Sequence, residues 1–337
     1  MDISNRKQLI LAQIVALHTN SGDPVGSHLL QEFLDTVSVS TATLRNEMAQ
    51  LTALGLLEQP HTSAGRVPTV EGYRYFLNNL MTAQPLSAAE KRAIESAVNS
   101  MDPDPDRAAQ SAAEHLAKLS GLGAVTTTPV CADTKVIHFE LVRVGRYNTA
   151  VLGITNLGAL KSRVCRTARE FSAAQLTAVA QVINNALRFV SHADVSAGLL
   201  GSMAAALGDA GEAAMPILLA AANLLREAGD VQVCRAGQGN LLRYRELGDH
   251  VSELVRLFED TEGLSQLLSR DGEVDCYVGE ELGRGYEALS LIVGRYRTPG
   301  GGHGGIGIVG PVRMDYANLI PRLRYFCSCM SEALAAR

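Results

Sequence analysis

The sequence has no tryptophan and no CxxC pair among its six cysteines, and no apolar run approaches the roughly 20 residues that a membrane span needs. The start, MDISNRKQLI, also lacks the apolar segment of a signal peptide, so we expect a cytoplasmic protein. Scattered cysteines fit reduced, buried thiols better than a disulfide framework or a zinc site. Cys327 and Cys329, the nearest pair, would point to different faces of a helix, which favours core packing over metal binding.

A basic excess is also missing, since the chain carries a formal net charge of -5. Residues 1–80 hold five basic and seven acidic side chains, whereas a strongly basic domain is the usual mark of nucleic-acid binding. Any DNA contact in this region must therefore depend on where a few cations are placed. The candidates are Arg45 and Arg66, with Arg74 as a further candidate, and with His28 and His61 nearby.

The first 80 residues show three helical patterns followed by two short strand patterns. The apolar period predicts a first helix that ends near residues 20–22 and a second, short helix that opens at Asp23-Pro24. Ser40 is a suitable N-cap for a third helix, in which Leu44, Met48 and Leu51 form one apolar stripe. Strands at 56–59 and 66–67, joined by a turn, complete the order of a winged helix.

The face of the third helix opposite the apolar stripe is small and polar. Its alanines would let the helix approach the floor of a DNA major groove. There Arg45 can bond guanine, while Asn46 and Gln50 can bond adenine. The alternative interpretation is an ordinary amphipathic helix with a solvated face.

The segment PHTSAGRVPT, residues 60–69, places a small polar tip between two prolines that stiffen its arms. Such a tip can follow a sugar-phosphate backbone closely. A stiff surface loop or an anion-binding nest are the alternatives. Catalysis by His61 and Ser63 is disfavoured because no acid is placed to orient the histidine. We expect phosphate contacts, at the helix N-terminus and at this tip, from Thr41, Thr43, His61, Thr62, Ser63 and Arg66.

After residue 80 the pattern changes to that of an α+β domain. Ser87 and Glu90 form a capping-box pair for a helix to about residue 100, and another helix runs to about residue 120. Three strand patterns over 135–166 predict an antiparallel meander. The later elements are predicted as a helical region at 172–229, a strand near Val231, a helix at 249–268, strands at VDCYVG, ALSLIVGRYR and GIGIVG, and a last helix at 315–336. The order suggests a sensor-like domain with helices on one face, interrupted by an insertion.

Two overlapping stretches, 302–307 and 305–310, fit the GxGxxG pattern. A dinucleotide site needs a helix that starts at the third glycine, and here the glycines lead into another strand pattern that ends at Pro311. We therefore interpret the glycine-rich segment as a flexible hairpin loop. The sequence shows no constellation for a cofactor or a metal.

Residues 39–76, VSTATLRNEMAQLTALGLLEQPHTSAGRVPTVEGYRYF, resemble the DNA-binding segment of the heat-inducible transcription repressor family HrcA. PVGSHLL before them and GIVGPVRMDYANLIPRLRYF at 307–326 fit the same family. The resemblance implies a negative regulator of chaperone operons, a bacterial homodimer that binds the inverted-repeat CIRCE operator. It also implies that the GroEL chaperonin supports its activity and that heat stress releases it from DNA.

The same resemblance implies an α+β multidomain fold. A winged helix-turn-helix domain at 1–80 would be followed by connecting helices at 81–120 and by a GAF-like domain at 121–337. This last domain has an antiparallel sheet and carries an inserted dimerisation segment at roughly 165–235. By position, the recognition helix is Thr41 to Ala53 and the wing is Pro60 to Thr69, although Glu280-Glu281 and the glycine-rich 300–305 depart from the family pattern.

Two other functions stay open at this point. One is a metabolite-responsive winged-helix regulator with its ligand in the GAF-like domain. The other is an enzyme with a winged-helix accessory module, which needs a polar catalytic cluster that the sequence does not show. A heat-sensitive domain that a chaperonin refolds would account for release on heating, and the glycine loops and Ala-rich middle give this weak support.

Overall fold

The computed structural model describes residues 3–34, 40–61, 64–131, 133–270 and 272–335. It is an α+β chain whose strands pair in antiparallel sheets. The helices are α1 (Asn5–Ser21), α2 (Ser27–Phe33), α3 (Thr41–Ala53), α4 (Val70–Tyr75, continued by a π-helix at Phe76–Leu80), α5 (Ala88–Asn99), α6 (Pro105–Ser120), α7 (Ala173–Leu187), α8 (Ala197–Ala206), α9 (Gly211–Gly229), α10 (Gln238–Leu241), α11 (Val251–Glu259), α12 (Thr261–Ser269) and α13 (Tyr316–Ala335). The strands are β1 (Leu57–Glu58), β2 (Val67–Pro68), β3 (Gly123–Thr127), β4 (Val136–Arg143), β5 (Asn148–Thr155), β6 (Leu160–Arg166), β7 (Val233–Ala236), β8 (Val274–Val278), β9 (Leu289–Arg297) and β10 (His303–Pro311). Within these residues, no helix is both long and apolar enough to cross a bilayer.

The N-terminal module, residues 3–80, has the predicted order of three helices and a hairpin. Helix α1 ends at Gly22, whose φ of 74° is left-handed and suits glycine. Helix α3 starts after Ser40, and its apolar stripe is buried as predicted. Two features were not predicted. Val25, between α1 and α2, pairs with Arg66 as an isolated antiparallel bridge beside the hairpin, and α4 with its π-helical continuation follows the hairpin.

The five-stranded sheet has the order β7-β3-β10-β9-β8. Helices α5, α6 and α13 lie on one side, where Thr126 of β3 donates to the Ala109 carbonyl of α6. Helices α11 and α12 lie on the other side, where Gly123 faces Phe258 and Gly305 faces Leu268. The expectation of helices on one face is therefore wrong for this sheet, because residues that alternate along each strand are buried on both sides.

The glycine-rich segment is more ordered than the predicted loop, because β10 already begins at His303. A Cβ on Gly304 would lie 2.4 Å from the Tyr296 ring, and one on Gly305 would lie 2.3 Å from the Leu268 carbonyl oxygen. Glycine is thus required by close packing against a ring and a helix end. The hairpin loop shortens to residues 298–302.

The insert module, residues 136–228, has its own hydrophobic core. Strands β4, β5 and β6 form the predicted antiparallel meander, with Leu141 opposite Val151 and Val151 opposite Arg163. One face of the meander packs on α7 and α9. The core of the N-terminal module is instead continuous with that of the five-stranded sheet. The division at 80 and 120, with an insertion at 165–235, stays a prediction.

The predicted helix at 249–268 is two helices. It breaks at Asp260, whose carboxylate accepts from the Gly263 amide at 2.8 Å and caps α12.

Candidate nucleic-acid interface

Helix α3 presents the predicted small and polar face to solvent. The Ser40 Oγ accepts from the Thr43 amide at 3.2 Å and lies 3.0 Å from the Thr43 hydroxyl, so it fixes the first turn. Thr41 and Thr43 are half-buried there. The exposed positions of the helix are Ala42, Arg45, Asn46, Ala49, Gln50 and Ala53. The structure therefore brings the three predicted base-contacting residues onto one open surface.

These three residues differ in how firmly they are held. The Arg45 Nε donates to the Ser27 Oγ at 3.1 Å, which ties α3 to the first turn of α2. Asn46 and Gln50 are exposed, and their side-chain amides have no hydrogen-bond partner within the residues described. Their side-chain donors and acceptors are free to bind a ligand. The Arg45 side chain is instead held by its bond to Ser27 before any ligand binds.

The turn segment is residues 60–66, and its described residues, 60–61 and 64–66, lie beside α3. The Ala64 amide donates to the His61 carbonyl at 2.8 Å, and Gln59 Nε2 donates to the Ala64 carbonyl at 3.1 Å. Arg66 exchanges two backbone bonds of 2.9 Å with Val25. His61 is exposed at the tip. Thr62 and Ser63, also predicted to contact phosphate, lie outside the described residues.

Arg66 links the turn segment to α3. Its Nε donates to the Thr52 Oγ1 at 3.1 Å, and that hydroxyl donates to the Met48 carbonyl at 3.0 Å. The side chain is half-buried, so it supports the turn as well as carrying charge. Sequence reasoning missed Val25, Ser27 and Thr52 because their roles come from tertiary contacts.

Other cations of the module are used inside the protein. Lys7 Nζ lies 3.3 Å from a Glu47 carboxylate oxygen. Arg74 Nε donates to Glu281 at 2.8 Å and its Nη2 donates to the Cys276 carbonyl at 2.7 Å. Arg74 thus lies at the contact with the five-stranded sheet rather than with Arg45 and Arg66. Of the lysines and arginines of the module that the structure describes, Arg45 and Arg66 are the two without a carboxylate partner.

The N-terminal module is joined to the rest of the chain by a second arginine. Arg313, just after β10, donates from Nη1 to the Thr19 carbonyl at 2.9 Å and pairs with Glu246. It also lies over the Tyr244 ring at 5.3 Å. These contacts hold the last turn of α1 against the five-stranded sheet.

His18 adds a titratable group to the same contact. Its Nδ1 lies 2.8 Å from the Tyr73 hydroxyl, and the Tyr73 and Tyr316 ring centroids are 6.2 Å apart. Burial, followed by the nearby Arg313 charge, lowers the pKa of His18 below its usual 6.5, against the opposing effect of Glu246 and Asp23. The contact between α1 and the segment after β10 therefore favours neutral His18.

Comparison with known proteins places the chain in a family. A family model described as the HrcA protein C terminal domain matches residues 106–320. The chain belongs to the HrcA family. The heat-inducible transcription repressor HrcA of Laribacter hongkongensis is 31% identical, over 99% of this chain and 96% of that protein. The HrcA of Chromobacterium violaceum is 30% identical, over 99% of each.

The crystal structure of a hypothetical protein matches 99% of this chain and 99% of its own, with 22% identity and a TM-score of 0.71. This likeness shows that the two chains share a fold. HrcA-family membership supports a heat-inducible transcription repressor, which is a regulator rather than an enzyme.

Proposed function

We propose that the chain is a negative regulator of chaperone operons that binds the inverted-repeat CIRCE operator as a homodimer. The N-terminal module is then a winged helix, with α3 as the recognition helix and residues 60–69 as the wing. One observation carries the proposal. The open face of α3 and the turn segment lie side by side, and Arg66 bonds both Val25 and Thr52 to keep them there.

Each DNA-binding residue has a proposed role. Arg45, Asn46 and Gln50 contact base edges, and the bond to Ser27 fixes the orientation of the Arg45 side chain. The residues proposed to contact phosphates are Thr41, Thr43, His61, Thr62, Ser63 and Arg66. Few of these are charged, so pairing of two half-sites across a dimer must supply much of the affinity.

We assign residues 121–337 to a GAF-like domain that carries the insert module, with connecting helices at 81–120 before it. We place the dimer surface on the outer face of the meander. Cross-strand rows 138-154-160, 140-152-162 and 142-150-164 form that face. Its apolar members are Val142, Ala150, Leu152, Ile154, Leu160 and Val164, of which Val164 is 63% exposed. Six of the nine positions on this face are apolar, which supports burial against a second copy.

Release on heating follows from the same arrangement. The insert module has a separate core in which half of the buried residues that α9 contributes are alanines. Small side chains bury little apolar area, so this core is the one we expect to open first on heating. Loss of the dimer would weaken operator binding, and the GroEL chaperonin would restore the folded form.

The test is a gel-shift titration of the full chain with CIRCE duplex and with scrambled duplex at two salt concentrations. Asn46→Ala should reduce operator affinity by about tenfold, as expected for one lost base contact, and leave scrambled-DNA affinity unchanged. Arg66→Ala should weaken both duplexes alike and reduce the salt slope by about one.

Arg66→Lys is the matched control, because it keeps the charge but loses the Nε bond to Thr52. A salt slope restored by lysine would assign the effect to charge, and a melting curve would report any loss of the Thr52 contact. Wild-type operator preference in Asn46→Ala would refute the placement of α3 in the major groove.

A further inference from the structure

An apolar hollow lies between α5, α6, α13 and β10, away from the α3 face. Its volume is about 190 Å³, and its buried lining includes Ile94, Leu116, Ile308 and Phe326. An engineered apolar cavity of about 150 Å³ stays dry and accepts benzene, so this hollow has room for a ring or a short acyl chain.

The rim of the hollow is charged. Arg322 Nε donates to a Glu90 carboxylate oxygen at 3.0 Å, and the other Glu90 oxygen accepts from the Ser87 amide at 2.8 Å and the Ser87 hydroxyl at 2.6 Å. These bonds lower the pKa of Glu90 to about 2, so the pair is ionised at neutral pH. The rim is thus a fixed ion pair next to an apolar space.

A groove of about 580 Å³ that three arginines line adjoins the hollow, since Ser120, Leu319 and Arg322 line both. The ionisable side chains of this groove are Arg243, Arg313, Arg322, Tyr244 and Asp315. Arg313 and Arg322 have carboxylate partners, and Asp315 accepts from the Asn318 amide at 3.3 Å and from its side chain.

Arg243 differs from the other two arginines. It is exposed, and its side chain has no hydrogen-bond or ion-pair partner in the part of the chain that the structure describes. The guanidinium donors of Arg243 are therefore unused at the groove, beside a hollow that suits an apolar group.

We propose that the hollow and the groove together bind a small amphipathic carboxylate, with its ring or short acyl chain among Ile94, Leu116 and Phe326 and its carboxylate toward Arg322 and Arg243. The carboxylate accepts charge-assisted hydrogen bonds from the Arg243 guanidinium, whose donors have no other partner in the part of the chain that the structure describes. This site adds a ligand to the repressor and goes beyond its proposed DNA binding.

The position of the site gives it a consequence. Thr19 and Asn20 of α1 line the groove together with residues of α13 and its preceding loop. A ligand there contacts the N-terminal module and the five-stranded sheet at once. It would stabilise the contact between the N-terminal module and the five-stranded sheet. It would also raise the melting temperature, because it binds only the folded chain.

The probe for the test is 3-phenylpropionate, titrated calorimetrically into the full chain without DNA, and its control is the neutral amide 3-phenylpropionamide. We expect saturable 1:1 binding of the carboxylate and about tenfold weaker binding of the amide, since the amide loses the charge-assisted bonds to arginine. No saturable heat up to about 10 mM would overturn the proposal, as would equal binding of the amide.

Two variants locate the binding. Leu119→Trp places a larger side chain in the hollow that Leu119 lines, and Arg243→Gln removes the unpaired cation. Each should weaken the carboxylate by more than about tenfold, while the neighbouring Leu242→Gln should not. If the melting temperature of Leu119→Trp is well below that of the wild type, Leu119→Phe is used in its place.

Unchanged affinity in Leu119→Trp and Arg243→Gln would place the ligand elsewhere and refute the site. Gel shifts of the same variants on CIRCE duplex without ligand test the DNA-binding function separately, because neither residue lies on the α3 face. Normal operator binding together with lost carboxylate binding is the expected result.

Discussion

At the scale of single residues, Gly65 sets the distance between the turn segment and the N-terminal helices. A Cβ on Gly65 would lie 2.3 Å from the Val25 carbonyl oxygen and 2.7 Å from the Gly26 nitrogen. The close approach to backbone explains the glycine, because backbone cannot move aside as a flexible side chain can. The two bonds between Val25 and Arg66 depend on this approach.

Gly65→Ala should therefore destabilise the chain by about 1–3 kcal/mol, the usual cost of forcing an extra methyl into packed structure. Urea unfolding followed by circular dichroism measures the loss. Gly26→Ala is the matched control, since a Cβ there meets no atom within 4 Å. The Gly26 variant should lose less, and equal losses would contradict the packing argument.

Individual residues also show how far the site could be predicted. The Leu44, Met48 and Leu51 stripe and the Ser40 cap follow from local periodicity and capping, so the open face of α3 was predictable. The bond from Arg66 to Thr52 was not, because it depends on how the hairpin packs. Arg74 has its partner, Glu281, more than 200 residues away, which no local pattern reports.

At the scale of elements, the contact between α1 and the segment after β10 positions the whole N-terminal module. His18 titrates in this contact, and it faces Tyr73, Arg313, Glu246 and Asp23. Its pKa is lowered in the folded chain, so below pH 6.5 the unfolded chain takes up a proton that folded His18 resists. The contribution of neutral His18 to the stability of the folded chain is complete above that pH and is lost as the pH falls.

Wild-type stability should hence decrease more between pH 7 and pH 5 than that of His18→Gln, by no more than about 1.4 kcal/mol per pH unit for one proton. Urea unfolding at each pH provides the measurement. The glutamine can still bond the Tyr73 hydroxyl but does not titrate. Parallel pH profiles in the two proteins would rule out His18 as the group responsible.

Some helices and strands could be predicted from the sequence pattern and others could not. The meander, the capping box at Ser87 and the last helix were predictable from period and capping residues. The strand start at His303 was not, because glycines signal turns unless close neighbours require them, and those neighbours, Tyr296 and Leu268, come from other elements. Asp260 between α11 and α12 is a cap that the apolar period concealed.

At the scale of the whole molecule, the net negative charge and the two separate cores both affect how the proposed repressor would bind DNA. The cationic side chains beside α3 are few, so one module should bind DNA weakly. A dimer joins two modules and makes the second contact intramolecular. The outer face of the meander, on the core that is separate from the N-terminal module, is the surface we propose for that pairing.

Val164→Asp should disrupt this pairing, because it places a charge on an apolar face that a second copy would bury. We expect a shift from dimer to monomer in sedimentation velocity at micromolar protein, and at least about a tenfold loss of CIRCE affinity through lost multivalency. Scrambled-DNA affinity per module should change little, since Val164 lies in the insert module.

Leu242→Asp provides the control, as Leu242 is 64% exposed, almost the same as Val164, but lies outside the meander. It should leave both the sedimentation coefficient and the operator affinity unchanged. A Val164→Asp chain that stayed dimeric would move the dimer surface elsewhere. A monomer that still bound the full operator as tightly as wild type would instead show that operator binding does not need the dimer, and would refute the paired-half-site mechanism.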